Sequence, residues 1–204
     1  MMKYLKMFNE NINSSDIDVI CENYNIKNYT INDDGTIDVN GNVSLYDEQL
    51  TILPLKFRNV SGYFDCSYNQ LKNLIGSPQY VGGDFYCYDN QLTSLEGAPK
   101  KVYGDFLCGN NKIKNIDYLP KKYKGLIIYG NPINKILDLF TKQDEYGWIS
   151  NREDKDLIMD FIDREIIQQD KLLVNRLVEF LDDIGNPISR EELMELLKND
   201  YEIQ

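Results

Sequence analysis

The chain has no histidine. It therefore lacks the side chain that most often serves as a general base near neutral pH, and the commonest imidazole ligand for zinc. Cysteine is also sparse. Cys21, Cys66, Cys87 and Cys108 form no CxxC pair, so a zinc site has nothing to build on. No apolar run approaches the roughly 18 residues that mark a membrane span. Met1 to Glu10 carries two lysines but no apolar stretch of the length a signal peptide needs. Basic residues are outnumbered, 22 against 33 acidic, for a net charge of -11. Phosphate contacts require Lys and Arg in quantity, so the composition argues against generic nucleic-acid binding. The excess carboxylates serve solubility and leave a basic protein surface as an acceptable partner.

What the chain has is a period. From Gly41 to Ile136 residue types recur every 21 positions. Gly41, Gly62, Gly83, Gly104 and Gly125 open the units. Leu45, Cys66, Cys87, Cys108 and Tyr129 share one position, and Leu50, Leu71, Leu92 and Ile113 share another. Leu53, Leu74, Leu95 and Ile116 mark a third, and Val60, Val81, Val102 and Tyr123 a fourth. A period of 20 to 29 residues with this apolar spacing is the signature of a leucine-rich repeat solenoid. The expected fold is an α/β solenoid with short parallel β-strands, an N-terminal helix and hairpin cap, and a C-terminal helical cap. Each residue type has a task in such a coil. Phe64 and Cys66 alternate with Tyr63, Asp65 and Ser67, which reads as a strand with one buried face. Asn69, Asn90 and Asn111 stand where the chain leaves the strand and can satisfy buried backbone groups. Pro78, Pro99 and Pro120 stiffen a return too short for a full helix. The cysteines at 66, 87 and 108 point inward as a ladder of small hydrophobes. Parallel neighbours about 4.8 Å apart are poorly aimed for a disulfide. Reduced, buried thiols suit an intracellular setting. The terminal units depart from the pattern. The first has Glu48 in place of the asparagine. The last has Ile127, Tyr129, Asn131, Ile133 and Ile136, one residue short between strand and first leucine.

The flanks divide the chain into 1–40, a capping helix and hairpin; 41–140, about five coils; and 151–204, a helical cap or docking domain. Met2 to Asn9 suggests an amphipathic turn with Tyr4, Leu5 and Phe8 on one side. Ser15 reads as a helix cap, followed by Ile17, Ile20, Cys21 and Tyr24 at helical spacing, with Asn25 as the stop. Tyr29 to Val39 reads as a hairpin turning at Asp34-Gly35. Thr141 to Ser150, with Trp148, reads as a joint. Asn151 with Asp154, and Ser189 with Glu192, have capping-box spacing. A middle helix restarts near Asp170 with an apolar stripe from Leu173 to Ile184 and stops at Gly185-Asn186-Pro187. The stripes on residues 151 to 184 need a partner surface: the open end of the solenoid, another protein, or a twin in a homodimer.

The units GYFDCSYNQLKNLIGSPQYVG and GDFYCYDNQLTSLEGAPKKVY resemble the short leucine-rich repeats of many bacterial proteins, and especially of tailed-bacteriophage proteins. The stretch YTINDDGTIDVNGNVSLYDEQLTILPLKFRNVSG is similar to the N-terminal lead-in of those phage proteins. The resemblance covers roughly residues 27 to 136 and implies the fold. It also implies a phage-encoded protein acting in the host cytoplasm or carried in the virion. Some bacterial relatives place a ubiquitin-ligase domain after their repeats. Such a ligase needs a catalytic thiol, and no cysteine follows Cys108.

Outward strand positions define the expected site. One row is Asn42, Tyr63, Asp84, Asp105 and Leu126. A second is Ser44, Asp65, Tyr86, Leu107 and Ile128. A third is Tyr46, Ser67, Tyr88, Gly109 and Gly130, with Tyr68 and Asp89 just beyond. Tyrosine supplies contact area and a hydroxyl at modest entropy cost, so tyrosines beside aspartates point to protein recognition. The protein-binding residues expected are Tyr46, Tyr63, Asp65, Tyr68, Asp84, Tyr86, Tyr88, Asp105, Leu107 and Ile128. Leu107, Leu126 and Ile128 would form an apolar patch to be covered by the tail or by another chain. No converging set of acid, base and nucleophile accompanies them, and no cofactor is called for. The sequence thus points to a non-enzymatic binding protein, with a structural or assembly part of a phage particle as the alternative.

Overall fold

The computed structural model describes residues 13–144, 146–168 and 171–204. The turn expected over Met2 to Asn9 and the helix start at Asp170 lie outside them. Helix α1 (Ser14–Asn23) opens the described chain. Its cap is Asn13, not Ser15: the Asn13 side chain accepts from the Asp16 amide, and Asp16 answers to the Asn13 amide, a complete capping box. Ile17, Ile20 and Cys21 are its buried face, and Asn25 leaves the helix at positive φ. Strands β1 (Tyr29–Ile31) and β2 (Ile37–Val39) form the antiparallel hairpin, with Gly35 at φ 75° in the turn.

The coils follow: β3 (Val43–Ser44), β4 (Phe57–Val60), β5 (Phe64–Asp65), β6 (Tyr80–Val81), β7 (Phe85–Tyr86), β8 (Lys101–Val102), β9 (Phe106–Leu107) and β10 (Leu126–Ile127). They alternate between two parallel sheets. The front sheet runs β3-β5-β7-β9-β10, and the return sheet runs β2-β4-β6-β8. The return of each coil is therefore itself a β-strand. Val60, Val81 and Val102 are buried there and are β-branched, which suits an extended backbone. The result is a stacked-coil β-solenoid. β1 extends the return sheet at its N-terminal edge.

Inward residues stack in columns between the sheets. The rings of Phe64, Phe85 and Phe106 lie 5.4 Å apart in succession and nearly parallel, and Phe57 meets Phe64 edge-on at 5.0 Å. Cys66, Cys87 and Cys108 form the neighbouring column, all buried and all free. Fully burying one such phenylalanine is worth about 2 to 3 kcal/mol. It is buried only when the adjacent coils are present, so stability resides in the stacking.

The asparagine column holds the coils together through polar contacts. Asn69, Asn90, Asn111 and Asn131 each accept from an amide of the preceding coil: Leu50 at 2.8 Å, Leu71 at 2.9 Å, Leu92 at 3.0 Å and Ile113 at 2.9 Å. Each amide nitrogen also donates back into the ladder, as Asn90 does to the carbonyls of Cys66 and Cys87. Just before each asparagine the backbone is left-handed, at Tyr68, Asp89, Asn110 and Gly130.

The last coil is shorter by one residue, and at a different place from the one expected. Phe106 pairs with Leu126 and Leu107 with Ile127. Lys124 donates to the Gly104 carbonyl, as Gly104 does to that of Gly83. The step is still 21 from Lys100 to Lys121. The missing residue therefore falls between Tyr123 and Lys124, ahead of the strand. Leu126 and Ile128 consequently turn inward and are fully buried, while Ile127 and Tyr129 turn outward.

After α2 (Asn134–Leu137), strand β11 (Trp148–Ile149) adds antiparallel to β10 and ends the front sheet. The tail holds α3 (Arg152–Asp163), β12 (Ile167–Gln168), β13 (Lys171–Leu172), α4 (Val174–Asp183), α5 (Arg190–Leu197) and β14 (Glu202–Ile203). The three helices are accompanied by a small sheet, β12-β13-β14, that the helical pattern did not suggest. Asn151 caps α3, and Ser189 with Glu192 forms the capping box of α5. The apolar stripes are covered within the chain. Phe140 beyond the last coil packs on Phe161 at 5.5 Å and on Phe180 at 4.9 Å. The Tyr201 hydroxyl reaches back to the Lys114 carbonyl at 3.1 Å, and Lys135 pairs with Asp200. No helix among the described residues is long and apolar enough to cross a membrane.

Candidate functional site

The outer surface of the front sheet is where the expected site residues meet. In strands this short, side chains alternate strictly between the core and the outside. Burying Phe85 and Cys87 therefore pushes Asp84, Tyr86 and Tyr88 outward, and the parallel register sets each coil's outward residues beside the next. The tyrosines join into one chain of rings. Tyr46 lies 5.1 Å from Tyr68, Tyr68 lies 5.4 Å from Tyr88, Tyr88 lies 6.3 Å from Tyr86, and Tyr86 lies 6.2 Å from Tyr63. Three of these contacts are edge-to-face and the Tyr46 contact is tilted, geometries favoured by the ring quadrupole.

Asp65, Asp84, Asp89 and Asp105 are half-buried on the same face. Asp84 accepts from the Tyr86 hydroxyl at 2.9 Å and from the Asp105 amide at 2.8 Å. Asp65 accepts from the Ser67 amide at 2.9 Å and from its hydroxyl. Burial pushes the Tyr86 phenol up to about 12, and the hydrogen bond to Asp84 pushes in the same direction. Asp89 is the first cause of a raised Tyr68, ahead of burial. Both shifts keep the phenols protonated, and so hydrogen-bond donors, to higher pH than an ordinary tyrosine. The outward-facing segments 42–47, 63–68, 84–89, 105–110 and 125–130 contain no lysine or arginine. They carry Asp47, Asp65, Asp84, Asp89 and Asp105, so the face is acidic as well as aromatic.

Leu107 lies half-buried on this face beside Tyr86, as expected. Ile128 does not belong to it. The shortened last coil puts Ile128 in the cysteine column at 0 % exposure and gives its outward place to Ile127. The apolar patch expected from Leu107, Leu126 and Ile128 reduces to Leu107 and Ile127. The tail packs on the end of the solenoid and leaves Tyr46, Tyr63 and Tyr68 exposed, with Tyr86 and Tyr88 half-buried.

Two further residues extend the face at its C-terminal edge. Tyr129, assigned inward by the uninterrupted period, is 40 % exposed and lies against Gly109, where a Cβ would come within 3.0 Å of the ring. Trp148 lies over Gly125, where a Cβ would meet the indole nitrogen at 1.9 Å. For Tyr129 the sequence signal was Gly109 in an outward column, which leaves room for a neighbouring ring; Gly125 joins such a column only through the shortened last coil.

The chain matches no protein-family model, no curated protein and no solved structure.

Proposed function

We propose that the chain is a non-enzymatic protein-binding module of the short leucine-rich repeat type. On this reading it is phage-encoded and binds a host or viral protein through the tyrosine–aspartate face of the front sheet. The observation that carries the reading is Tyr68. It has φ 55°, in the left-handed column that the other coils fill with Asp47, Asp89, Asn110 and Gly130. Asn and Asp tolerate that backbone, whereas a bulky residue there is an outlier with a conformational cost. Tyr68 nonetheless holds the centre of the ring chain while being 46 % exposed. Strain retained at an exposed aromatic residue supports a contact surface.

The test is affinity capture from a lysate of the organism that expresses the protein. Wild type is compared with Tyr68→Asn/Tyr86→Ser/Tyr88→Ser and with Tyr118→Ser, an exposed tyrosine elsewhere. A partner held by wild type and Tyr118→Ser but lost by the folded triple variant supports the reading. A partner held equally by all three removes recognition from this face.

A second reading, a structural or assembly component of a phage particle, is favoured by the charge on the other sheet, described next.

A further inference from the structure

The return sheet carries the opposite charge. Lys100 and Lys121 stand on consecutive rungs, since the Lys121 amide donates to the Lys100 carbonyl at 3.1 Å. Lys101 and Lys122 form the adjacent row, set by the Val102 amide bonding to the Lys122 carbonyl at 2.8 Å. All four are exposed, and among the described residues none has a carboxylate within ion-pair distance. Two lean instead on tyrosine rings: Lys101 over Tyr80 at 5.9 Å and Lys122 over Tyr103 at 4.4 Å. In a chain of net charge -11, stacking unpaired lysines one rung apart costs repulsion unless anionic groups lie opposite.

We propose that the occupant of this lysine face is the tyrosine–aspartate face of a second copy of the chain, so that copies join front sheet to return sheet. The proposal rests on reading the front sheet as a contact surface and names its partner. Three features favour a second copy. The signs are complementary, since the front face has aspartates and no cation and the return rows are lysines without paired acids. The repeats match, because both faces belong to one solenoid: Asp84 and Asp105 are one rung apart, as are Lys101 and Lys122, at about 4.8 Å. The chemistry matches as well, since tyrosine rings already receive lysines within the chain and the front face offers more of them. The two surfaces differ, so the contact is heterologous. Each added copy leaves one free face of each kind, which gives a ring or an open filament rather than a closed dimer.

The experiment is sedimentation velocity of the full chain over a range of concentration. It uses wild type, Lys101→Glu/Lys122→Glu, Tyr88→Lys/Leu107→Lys, and an equimolar mixture of the two variants. Circular dichroism confirms that each variant folds. Wild type should form a concentration-dependent series of oligomers. The series should weaken at least tenfold in apparent affinity between about 50 mM and 500 mM salt. Each variant alone should remain monomeric. The mixture should associate again, because the two intact faces pair and the two substituted faces are of opposite charge. Monomeric wild type throughout overturns the proposal and leaves the front-face reading to its capture test. Association blocked only by the front-face variant indicates a symmetric front-to-front dimer, which overturns the proposal and keeps the front face. Association blocked only by the lysine variant overturns the proposal and leaves the front-face reading to its capture test. Binding of a polyuridylate strand to monomeric wild type, lost on Lys101→Glu/Lys122→Glu, assigns the lysine face to single-stranded nucleic acid instead.

Discussion

Asn90 accepts a hydrogen bond from the Leu71 amide of the coil before it at 2.9 Å, and donates to the carbonyl of Cys66 in that same coil. One side chain thus satisfies the Leu71 amide, which the turn off the strand would otherwise bury unpaired, and shares the Cys66 carbonyl with Asn69. Asn90→Ala should destabilise the protein by about 2 kcal/mol, since a buried polar group left unmatched costs roughly 1 to 3 kcal/mol. Glu48 occupies the same column in the first coil but is exposed. Glu48→Ala should stay within about 0.5 kcal/mol of wild type. Urea unfolding of both variants checks the contrast. Equal losses would mean that the column acts through something other than burial.

Tyr123 completes the column of Val60, Val81 and Val102. Its hydroxyl is buried without a hydrogen-bond partner among the described residues. Burial is also the main reason its phenol is pushed far up, with the thiol of Cys108 adding to it. Tyr123→Phe removes the unmatched group and keeps the ring, so it should stabilise the fold by about 1 kcal/mol. A rise in thermal midpoint of a few degrees is the expected reading, and a fall would show that the hydroxyl is satisfied.

The two preceding cases show what the repeat pattern makes legible. Inward columns are read easily because every coil must refill the same space, so Cys66, Cys87 and Cys108 announce the period. The asparagine column is equally clear, because few side chains can both accept from and donate to the backbone at one corner. The outward tyrosines and aspartates followed from the alternation. The last coil was misread for a physical reason. Leu126, Ile127 and Ile128 are all aliphatic, so either register fills the core, and Gly125 keeps the 21-residue step from Gly104 while standing opposite Asp105. That a residue is lost was legible, but only the pairing of Phe106 with Leu126 shows that it is lost ahead of the strand. The return strands were missed because they pair over only two to four residues, too few for an alternation to stand out. Asn13 and Ser15 are both capping residue types at the start of the first helix, and the reciprocal bond with Asp16 decides for Asn13.

The thiols provide a probe of the whole stack. Burial is the first cause of raised values at Cys66, Cys87 and Cys108, and at Cys21, which is pushed to about 11. A raised value means less thiolate at a given pH, and the thiolate is the reactive form. At pH 8 the native protein should therefore react negligibly with a thiol-disulfide reagent on the scale of minutes. All four cysteines should react at once in denaturant. Adding Asn90→Ala should accelerate the native reaction at Cys66 and Cys87 by opening the coils that flank it. A fast native thiol would place one of these side chains outside the core.

Tyr68 separates stability from recognition. Its left-handed backbone costs a bulky side chain about 1 to 2 kcal/mol, and asparagine is the residue that escapes most of that cost. Against this stand the ring contacts to Tyr46 and Tyr88, worth about 0.5 to 1.5 kcal/mol each when well buried and less at a half-exposed position. The two effects offset, so Tyr68→Asn should leave the thermal midpoint within a few degrees of wild type. The front face nevertheless loses its central ring. Capture of a partner, or association with a second copy, should fall at least tenfold. Tyr68→Phe keeps the ring and the strain, and should retain most of the binding. If Tyr68→Asn instead unfolds the protein, the tyrosine is there for packing and the strain carries no functional meaning. If it stabilises the protein and binding is unchanged, the contact surface lies elsewhere on the solenoid.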